Sequence, residues 1–339
     1  MNLKIALVRR GDAGNLDGVS RFTFNLARGF KELGNEVYLV ASDVSADPRQ
    51  YFNVDINIVK IGSSTNFLSL TLKHLLKSSK ILRNIGVDLV IANGAIPLIT
   101  DAVKIAVNHG NAITEYRKSH LARLYGKLVY AMYDTTVCVS SKVKSEMESV
   151  GIKCQEVIPL PLIINNYNCE HTKDNYVLFV GGDYKRKRLD VAINAVKILR
   201  REGFDLTLKV VGPRSVADDY VEFTGRVSDK ELRGLYSRAL ALIHPSEWES
   251  LSYAVLEAQA SCTPVVVGPG VPDEALTHGV TGFKVTTFDP ADYARAVARL
   301  IMDRDTYRKM SVKAREYAEK FDYVKITREY LRLYHEARR

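Results

Sequence analysis

One stretch of this chain, His244 to Ala260, combines carboxylates with a pattern that predicts a strand followed by a helix: HPSEWESLSYAVLEAQA. The buried strand LALIHPS ends within it, and Ser250 or Ser252 is placed to cap the helix. Glu249 then lies in the loop before the helix, and Glu257 lies in its second turn among apolar neighbours. A helix start offers unbonded N–H groups and a partial positive charge, which favours an anion. We therefore expect an anion site with two carboxylates beside it; the alternative for Glu249 is a favourable charge on a solvated loop.

A second stretch, VGGDYKRKRLD at residues 180–190, places basic side chains after a predicted strand. The strand ends at a glycine pair, and the residues concerned are Gly181, Gly182, Lys185, Arg186, Lys187 and Arg188. Cations at the carboxyl end of a strand, in a loop before a helix, are placed to neutralise phosphates. The simpler interpretation is a charged loop in solvent. A nuclear-targeting signal is disfavoured because the run lies within a folded pattern rather than in a tail.

Two further positions follow strands in the first half of the chain. Gly18, in NLDGVSR, lies at the first strand-to-helix turn, where a glycine lets the backbone approach a ligand closely. The segment is not GxGxxG, and only the Ser42–Asp43 pair stands where an acid would bind a ribose, so a dinucleotide site is a weak alternative. His109, in VNHGN, directly follows a strand. We expect it to be a polar active-site contact, although a lone histidine is usually structural.

Length and composition limit the fold and the partners. A chain of 339 residues with 46% hydrophobic and 26% charged residues predicts two globular domains. No apolar run approaches the length of a membrane span, and the start MNLKIALVRRGD is interpreted as a first buried strand rather than a signal peptide. The net charge of +9 predicts affinity for anions, and nucleic acid, anionic lipid and phosphorylated small molecules all qualify.

The four cysteines, Cys138, Cys154, Cys169 and Cys262, are scattered singly along the chain. Because no CxxC pair occurs, we expect neither a structural zinc site nor a disulfide scaffold. The pattern suits a reducing compartment, and the cytoplasm is the predicted location.

The elements that must position these residues repeat one scheme twice. KIALVRR, a glycine-containing loop, RFTFNLARGFKELG and EVYLVAS form a strand–helix–strand unit, which builds a parallel sheet. Further strands are predicted at INIVKIG, DLVIAN, KIAVNH and TTVCVSS, with the unbroken apolar runs of strands buried on both faces. The pattern breaks between Pro159 and Asn175 and restarts with strands at NYVLFVGG, DLTLKVVG, VEFTG, LALIHPS and TPVVVG. The prediction is an α/β protein of two doubly wound halves, whose ligands bind at the carboxyl ends of the strands.

Together these stretches resemble glycosyltransferase family 4, the retaining nucleotide-sugar transferases of GT-B fold, over nearly the whole chain. Pro245, Ser246 and Glu249 match the family's P-S-x-x-E element. Glu249 and Glu257 match its E-x7-E pair, and EAQASCTPVV matches the segment that follows. The stretch VGGDYKRKR and the loop Gly225–Val227 resemble its phosphate-binding and base-binding segments.

The resemblance also implies a domain organisation, and the chain departs from the family pattern in places. Two Rossmann-like doubly wound parallel-sheet domains would face a central cleft, residues 1–163 binding the acceptor and residues 164–318 the nucleotide-sugar. Residues 319–339 would form a C-terminal helix that packs back towards the N-terminal domain. The family has glycine at the positions of Arg188 and Cys262 and often arginine at that of Gly182.

Each matched residue acquires an implied role from the resemblance. Glu249 would contact hydroxyls of the donor sugar, and Glu257 would hold the ribose of the nucleotide. Arg186 and Lys187 would neutralise the diphosphate, and His109 would contact the sugar near its reacting carbon. The other implied donor contacts are Gly18, Gly181, the N–H groups of Leu251 and Ser252, and backbone atoms of Arg226 and Val227.

The implied function is a retaining hexosyltransferase, EC 2.4, which moves a sugar from a nucleotide-sugar to a hydroxyl of a glycan, glycolipid or lipid-linked acceptor. Beyond the donor no cofactor is expected, and no metal, since the one DxD sequence, Asp303 to Asp305, is interpreted as the cap of a late helix. A nucleotide-sugar epimerase or hydrolase of GT-B fold is one alternative, although it typically lacks the E-x7-E pair. A nucleic-acid-binding protein is another. It is disfavoured because the basic residues cluster at strand ends and on one helix.

The sequence pattern of residues 115–133 predicts an amphipathic helix that carries Arg117, Lys118, Arg123 and Lys127 beside apolar side chains. In family 4 such a patch on the acceptor domain can dock on anionic membranes, which agrees with the physics of interfacial helices. A packed helix with a solvated basic face fits the pattern equally well. Peripheral association with the inner face of the membrane is therefore an open alternative to a purely cytoplasmic location.

Overall fold

The computed structural model describes residues 2–14, 17–45, 47, 54–110, 113–170, 172–182, 184–213 and 219–339. The chain divides into two compact units. Unit 1 comprises Met1–Leu162 and Tyr323–Arg339, and unit 2 comprises Ile163–Asp322. Each unit is built around one parallel sheet, so the predicted α/β class and the two Rossmann-like halves are confirmed.

The sheet of unit 1 has the order β3-β2-β1-β4-β5-β6-β7, and all of its paired strands are parallel. The strands are β1 Lys4–Asp12, β2 Glu36–Asp43, β3 Asn57–Lys60, β4 Leu89–Asn93, β5 Val103–Asn108, β6 Thr135–Cys138 and β7 Glu156–Val157. The central strands are buried on both faces, which explains why their sequences are apolar without alternation. The two-residue strand β7 carries no such run, and the sequence did not indicate it.

Helices connect these strands. The helices of unit 1 are α1 Gly18–Glu32, α2 Phe67–Lys73, α3 Ser79–Ile85, α4 Ile113–Lys118, α5 His120–Tyr130, α6 Ser141–Ser149 and, near the C-terminus, α13 Tyr323–Ala337. A π-helical turn, His74–Ser78, joins α2 to α3. The C-terminal helix α13 packs on α1, where a Cβ at Gly29 would lie 2.0 Å from Thr327 Oγ1. Glycine therefore permits the close approach of these two helices.

The single helix predicted over residues 115–133 is wrong in detail. The structure has two helices there, α4 and α5, separated at Ser119. Ser119 is extended and its side chain accepts a hydrogen bond from Ala122 N, so it caps α5. The capping preference of serine is the physical reason for the break, and it overrides the continuous amphipathic pattern.

The sheet of unit 2 has the order β10-β9-β8-β11-β12-β13 and is again parallel throughout. Its strands are β8 Tyr176–Val180, β9 Thr207–Val211, β10 Val221–Gly225, β11 Ala241–His244, β12 Val265–Val267 and β13 Gly282–Lys284. Its helices are α7 Tyr184–Lys187, α8 Leu189–Arg201, α9 Asp229–Arg238, α10 Tyr253–Ala260, α11 Pro290–Met302 and α12 Arg304–Ala318. Short β13 was not predicted. Asp303 accepts from Thr306 N and caps α12, as interpreted from the sequence.

The expectation that the cysteines form no disulfides is wrong. Cys138 is bonded to Cys154 and Cys169 to Cys262, with Cα atoms 6.2 Å and 5.1 Å apart, and no described cysteine is free. Tertiary contact, which spacing does not reveal, brings them together: β7, just after Cys154, pairs with β6, which ends at Cys138. Cysteine usage therefore no longer argues for a reducing compartment.

Bilayer-spanning helices are a separate question from the fold of the units. Across the described ranges, no helix has both the length and the apolar character needed to cross a membrane.

Candidate functional site

Glu249 lies in a tightly folded loop at the carboxyl end of β11. The backbone N–H of Glu249 donates to Gly270 O at 3.0 Å, and Gly270 N donates to Ser246 O at 3.2 Å. A Cβ at Gly270 would lie 2.2 Å from the carbonyl carbon of Glu247, so only glycine fits there. The loops that follow β11 and β12 thus brace each other, and Glu249 is 7% exposed rather than solvated.

Three donors surround one oxygen of the Glu249 carboxylate. Lys187 Nζ forms a close ion pair with Oε1, Arg186 Nη1 lies 3.4 Å from it, and His244 Nε2 lies 3.1 Å from it. Arg186 Nη1 also donates to Trp248 O at 2.5 Å. The two basic residues that the sequence predicted for a diphosphate are therefore brought together with the acid predicted for a sugar.

The charges in this cluster set the protonation states. Burial raises the pKa of the Glu249 carboxyl, but the hydrogen bond from His244 and the charge of Lys187 outweigh burial and hold that pKa well below its usual range. Burial, together with the charge of Lys187, lowers the pKa of His244. His244 is therefore neutral near pH 7, and its Nε2–H donates to the carboxylate while the buried Nδ1 has no hydrogen-bond partner.

The basic stretch after β8 divides into two parts. Arg186 and Lys187 are directed at Glu249, whereas Lys185 is exposed and Arg188 pairs with Asp190 at 2.9 Å. A Cβ at Gly181 would lie 3.2 Å from Lys187 Cγ, so Gly181 lets the lysine stem lie over the backbone. Of these four basic residues, Arg186 and Lys187 are therefore the two that contact the buried carboxylate of Glu249.

Two non-glycine residues of this unit have positive φ where the family pattern has glycine. Arg188 has φ 54° and Cys262 has φ 56°. This left-handed conformation costs a residue with a Cβ about 1 kcal/mol relative to glycine. Arg188 and Cys262 therefore adopt the left-handed conformation that favours glycine, although neither is a glycine.

Helix α10 begins beside this cluster, although its start differs from the expectation. Ser252 is at the cap position with φ 89°, but its side chain does not cap the helix. Its Oγ instead lies 3.1 Å from His244 Nε2. Leu251 is fully buried, and Glu257, in the second turn, is 3% exposed. The first N–H groups of the helix lack intrahelical acceptors and are available to an anion.

The loop predicted to bind a base, Gly225–Val227, links β10 to α9. Gly225 has φ 77°, Arg226 is exposed and Val227 is partly exposed. Ser228 then caps α9 in a reciprocal pair with Glu231. Because the loop presents backbone at a strand end, its geometry suits the predicted backbone contacts.

In unit 1, Gly18 is the first residue of α1 and follows its cap, Asp17. Asp17 accepts from Ser20 N at 2.7 Å and also pairs with Arg9 Nη2 at 3.3 Å. Arg9 is 4% exposed and donates to Ser20 Oγ as well. The start of α1 is therefore rigidly held, and Gly18 directly follows Asp17, whose charge is neutralised by Arg9.

His109 follows β5 as predicted, and its ring is held from two sides. Nε2 lies 2.9 Å from Asn93 Oδ1, and the ring packs edge-on against Phe22 with centroids 4.7 Å apart. Asn93 is fixed in turn by donating to Thr23 Oγ1 at 3.2 Å. Burial lowers the pKa of His109 to about 4, with Asp17 acting in the opposite direction. His109 is therefore a neutral imidazole near pH 7.

Sequence reasoning missed three residues of these clusters. His244 stood at the head of the stretch HPSEWES but was interpreted only as the end of a strand. Arg9 falls within the predicted strand KIALVRR, and Asn93 ends the predicted strand DLVIAN. A polar side chain at the carboxyl end of a strand was the available signal for each, since ligands of parallel sheets bind there.

The arrangement in unit 2 can hold a phosphate-bearing ligand and stabilise negative charge that develops on it. It offers two cations, a helix start and a buried carboxylate that accepts hydrogen bonds from hydroxyls. As for metal binding, no group of three or more His, Cys, Asp and Glu suited to an ion occurs in the described part of the chain.

Two protein-family models match the chain in succession. The one described as Glycosyltransferase Family 4 matches residues 16–164, and the one described as Glycosyl transferases group 1 matches residues 163–317. An uncharacterized glycosyltransferase of Methanocaldococcus jannaschii is 23% identical over 95% of each chain. A D-inositol 3-phosphate glycosyltransferase of Streptomyces scabiei is 31% identical over 42% of this chain, a match that spans only 37% of that protein.

Solved structures resemble the whole chain at low identity. Anabaena Alr3699/HepE in complex with UDP-glucose has a TM-score of 0.81 at 15% identity, covering 99% of this chain and 100% of that one. Sucrose-phosphate synthase from Thermosynechococcus elongatus has a TM-score of 0.79 at 17% identity, covering 99% of both. At these identities the similarity shows the fold, which is of the GT-B class predicted from the sequence.

Proposed function

Since this chain belongs to glycosyltransferase family 4 and is therefore a sugar-transferring enzyme, we propose that it transfers a hexosyl group from a nucleoside-diphosphate sugar to a hydroxyl acceptor with retention of anomeric configuration. The observation that carries the proposal is the Glu249 cluster, in which a buried carboxylate holds Lys187 and Arg186 next to the start of α10. A solved protein of the same fold has been seen with UDP-glucose, which supports the donor class.

In the proposed reaction, the bond between the anomeric carbon and the diphosphate oxygen breaks, and the leaving diphosphate takes the bonding electron pair. The acceptor oxygen forms the new bond to the same face of that carbon. The acceptor proton passes to the leaving phosphate oxygen, so the products are the glycoside and a nucleoside diphosphate. Lys187, Arg186 and the start of α10 stabilise the charge that develops on the diphosphate, which is preorganised electrostatic catalysis.

Glu249 has a second task in this scheme. Before the donor binds, its carboxylate neutralises the charges of Lys187 and Arg186, whose side chains are 13% and 38% exposed. A bound diphosphate takes over that neutralisation, and the carboxylate becomes available to accept hydrogen bonds from sugar hydroxyls. His244, neutral and bonded to Oε1, keeps the carboxylate oriented during the exchange.

The remaining donor contacts are proposed as the resemblance implies. Glu257, buried in the second turn of α10, would hold the ribose, and Gly225–Val227 would contact the base through backbone atoms. Gly18 and His109 keep their implied contacts to the diphosphate and the sugar as predictions.

Donor binding tests the proposal directly. UDP-, GDP- and ADP-glucose are titrated into the protein, and the rise in melting temperature is recorded, because a ligand that binds only the native state stabilises it. We expect one nucleotide-sugar to raise the melting temperature and Glu257→Gln to weaken its binding about tenfold or more. Glu247→Gln is the matched control, since Glu247 is an exposed acid of the same loop. An unchanged affinity of the Glu257 variant for the nucleotide-sugar would contradict the assignment of Glu257 to the ribose.

Product analysis tests the reaction itself. Proton NMR of the glycoside should show the anomeric configuration of the donor, and an inverted product would overturn retention. Free sugar without glycoside, or an epimerised nucleotide-sugar, would point to the hydrolase or epimerase alternative. Turnover in excess chelator is expected to be unchanged, since the proposed scheme uses side-chain cations rather than a metal ion.

We further propose that residues 115–133 associate with an anionic membrane. Three leucines of α5 are more than half exposed, Leu121 at 79%, Leu124 at 53% and Leu128 at 62%, and they lie among the basic residues of α4 and α5. Basic and apolar side chains together favour the interface of anionic bilayers.

The protein should sediment with vesicles of phosphatidylcholine and phosphatidylglycerol but not with phosphatidylcholine alone. Leu124→Ser with Leu128→Ser should abolish this; retained sedimentation would contradict the proposal. A cytoplasmic location stays a prediction.

A further inference from the structure

A cavity of about 560 Å³ lies within unit 1, at the carboxyl ends of β1 and β4. Its lining includes Arg10, Phe67, Asn93, Glu115, Tyr116, Leu121 and Tyr125. Both the volume and the predominance of aromatic and aliphatic side chains are typical of small-molecule sites. The cavity contains none of the residues assigned above to the donor.

Arg10 and Glu115 place a cation and a carboxylate in the cavity wall, but no ion pair joins these two described side chains. Its guanidinium lies over the rings of Phe67, at 4.8 Å, and Tyr125, at 5.7 Å. Its Nε is buried without a hydrogen-bond partner, and no acid among the described residues forms an ion pair with it. The preceding residue, Arg9, is by contrast paired with Asp17. Because Arg10 is partly desolvated and has no counter-ion, an anionic ligand would stabilise it strongly.

Exposed apolar side chains surround the mouth of the cavity. Phe67 and Leu121 line the cavity and are also 57% and 79% exposed. Along the same two helical segments the exposed apolar residues continue as Leu68, Leu72, Leu76, Leu124 and Leu128. Residues 67–85 contain no acid and four strong bases, Lys73, Lys77, Lys80 and Arg83. Such a surface complements an anionic lipid interface rather than water.

The other end of the cavity reaches a side chain that holds His109. Asn93 lines the cavity, and its Oδ1 lies 2.9 Å from His109 Nε2. The proposed function assigns this histidine a contact with the donor sugar. A molecule in the cavity can therefore present one end to Asn93 while its apolar part lies towards Phe67 and Leu121.

We propose that this cavity binds the acceptor, and that the acceptor is a membrane lipid with an anionic group close to the hydroxyl that receives the sugar. The anionic group pairs with Arg10, the adjoining chain lies against Phe67, Tyr125 and Leu121, and the hydroxyl is directed towards Asn93. This inference rests on the proposed function, because it assigns an acceptor to that reaction.

The test is a calorimetric titration without any sugar donor. The probes are dihexanoyl phosphatidylglycerol, dihexanoyl phosphatidylcholine, which has the same chains without net charge, and glycerol 3-phosphate, which has the charge without chains. Wild type should bind phosphatidylglycerol at least tenfold more tightly than either of the others. Equal affinity for the two lipids, equal affinity for glycerol 3-phosphate, or no binding of any probe would overturn the proposal.

Variants assign the binding to the cavity. Arg10→Gln should abolish the preference for phosphatidylglycerol, whereas Arg328→Gln, which changes an exposed arginine of α13, should preserve it. Phe67→Ala should weaken the binding of both lipids to the same extent. Ala122→Phe, which fills the cavity from α5, should abolish the binding of both lipids. This variant tests the cavity if Arg10→Gln fails to fold. An unaltered lipid preference in folded Arg10→Gln would refute the assignment.

The same variants keep this inference separate from the proposed function. Nucleotide-sugar binding should be unchanged in Arg10→Gln, because Arg10 belongs to none of the donor contacts. Lipid binding without donor binding in wild type would refute the donor assignment alone. Donor binding without lipid binding would refute the acceptor assignment alone.

Discussion

Both units place charged side chains after the strands of a parallel sheet, but they treat those charges differently. In unit 2, Lys187 and Arg186 are already neutralised by Glu249, which is itself 7% exposed. In unit 1, Arg10 lies over two aromatic rings and forms no ion pair with any acid of the described residues, although its neighbour Arg9 is paired with Asp17. One site holds its cations with an internal anion, and the other leaves its cation without one.

The difference has a consequence for binding. A diphosphate that enters the unit 2 site must displace a carboxylate from two cations, so part of its Coulombic attraction is offset by the ion pairs it breaks. An anion that reaches Arg10 breaks no ion pair. The internal acid therefore makes the donor site stable when empty, while the aromatic walls around Arg10 keep that cation in place by stacking.

The first prediction concerns Glu249→Gln, which removes the internal anion while keeping the shape. Turnover should fall about 10²–10³-fold, because the side chain no longer orients the sugar as charge develops. Affinity for the free nucleoside diphosphate should hold or rise, since Lys187 and Arg186 are released from the carboxylate. Steady-state kinetics and calorimetry with the diphosphate measure the two effects.

Glu247→Gln is the control for this experiment. Glu247 lies two residues away in the same loop and pairs at 3.5 Å with Arg188 instead. Its turnover should match that of wild type. A Glu249→Gln enzyme with normal turnover, or one whose diphosphate affinity collapses, would contradict the exchange of partners described above.

The second prediction compares stability at the two cations. Lys187→Met leaves Glu249 buried without its closest cation, which should cost about 3 kcal/mol of unfolding free energy. Arg10→Met leaves no carboxylate behind and loses chiefly stacking and hydrogen bonds, so about 1 kcal/mol is expected. Urea denaturation of the matched pair measures both. Equal losses would show that the two sites do not differ in the way described.

The contrast between these sites was only partly accessible from sequence. Local patterns, acids and bases at strand ends and helix starts, predict Glu249, Glu257, Arg186 and Lys187 as site residues. The pairing of Lys187 with Glu249 joins residues 62 positions apart, and local pattern does not report it.

Other features depended on tertiary contact even more. The isolation of Arg10 beside a paired Arg9 depends on which way each strand residue faces, which shows only once α1 and α5 have packed. The strands were predictable where the sequence has an apolar run, as in three-residue β12, VVV, whereas β7, EV, and β13, GFK, have none. The disulfides and the helix break at Ser119 likewise depend on contacts that compete with the local pattern.

The third prediction uses pH to compare buried histidines. Burial lowers the pKa of His109 to about 4, so between pH 4 and 6.5 the unfolded chain binds a proton that the folded chain does not. Stability therefore rises with pH across that window and falls on acidification. His109→Gln should flatten the dependence by about 2 kcal/mol, since glutamine does not titrate. Urea midpoints at several pH values measure it.

His74→Gln provides the internal comparison, because burial also lowers the pKa of His74 to about 4 while its ring bonds Ser42 and Ser78 rather than Asn93. The pH dependence of stability should flatten in both variants. Only His109→Gln should also lower turnover. A loss of turnover in His74→Gln alone would place the functional histidine elsewhere.

The smallest expected effect concerns two backbone positions with positive φ, one near the end of β1 and one between α7 and α8. In unit 1 the positive φ falls on Gly11, at 83°, and in unit 2 it falls on Arg188, at 54°. A Cβ at Gly11 would meet no atom within 4 Å, so Gly11→Ala should cost about 1 kcal/mol through backbone strain alone. Arg188→Gly and Arg188→Ala lose the same ion pairs with Asp190 and Glu247, so their difference isolates the backbone. The glycine variant should be the more stable by about 1 kcal/mol, measured by urea denaturation. A more stable alanine variant would mean that the turn before α8 relaxes out of the left-handed region, and Lys187, one residue earlier, would then lose its fixed approach to Glu249.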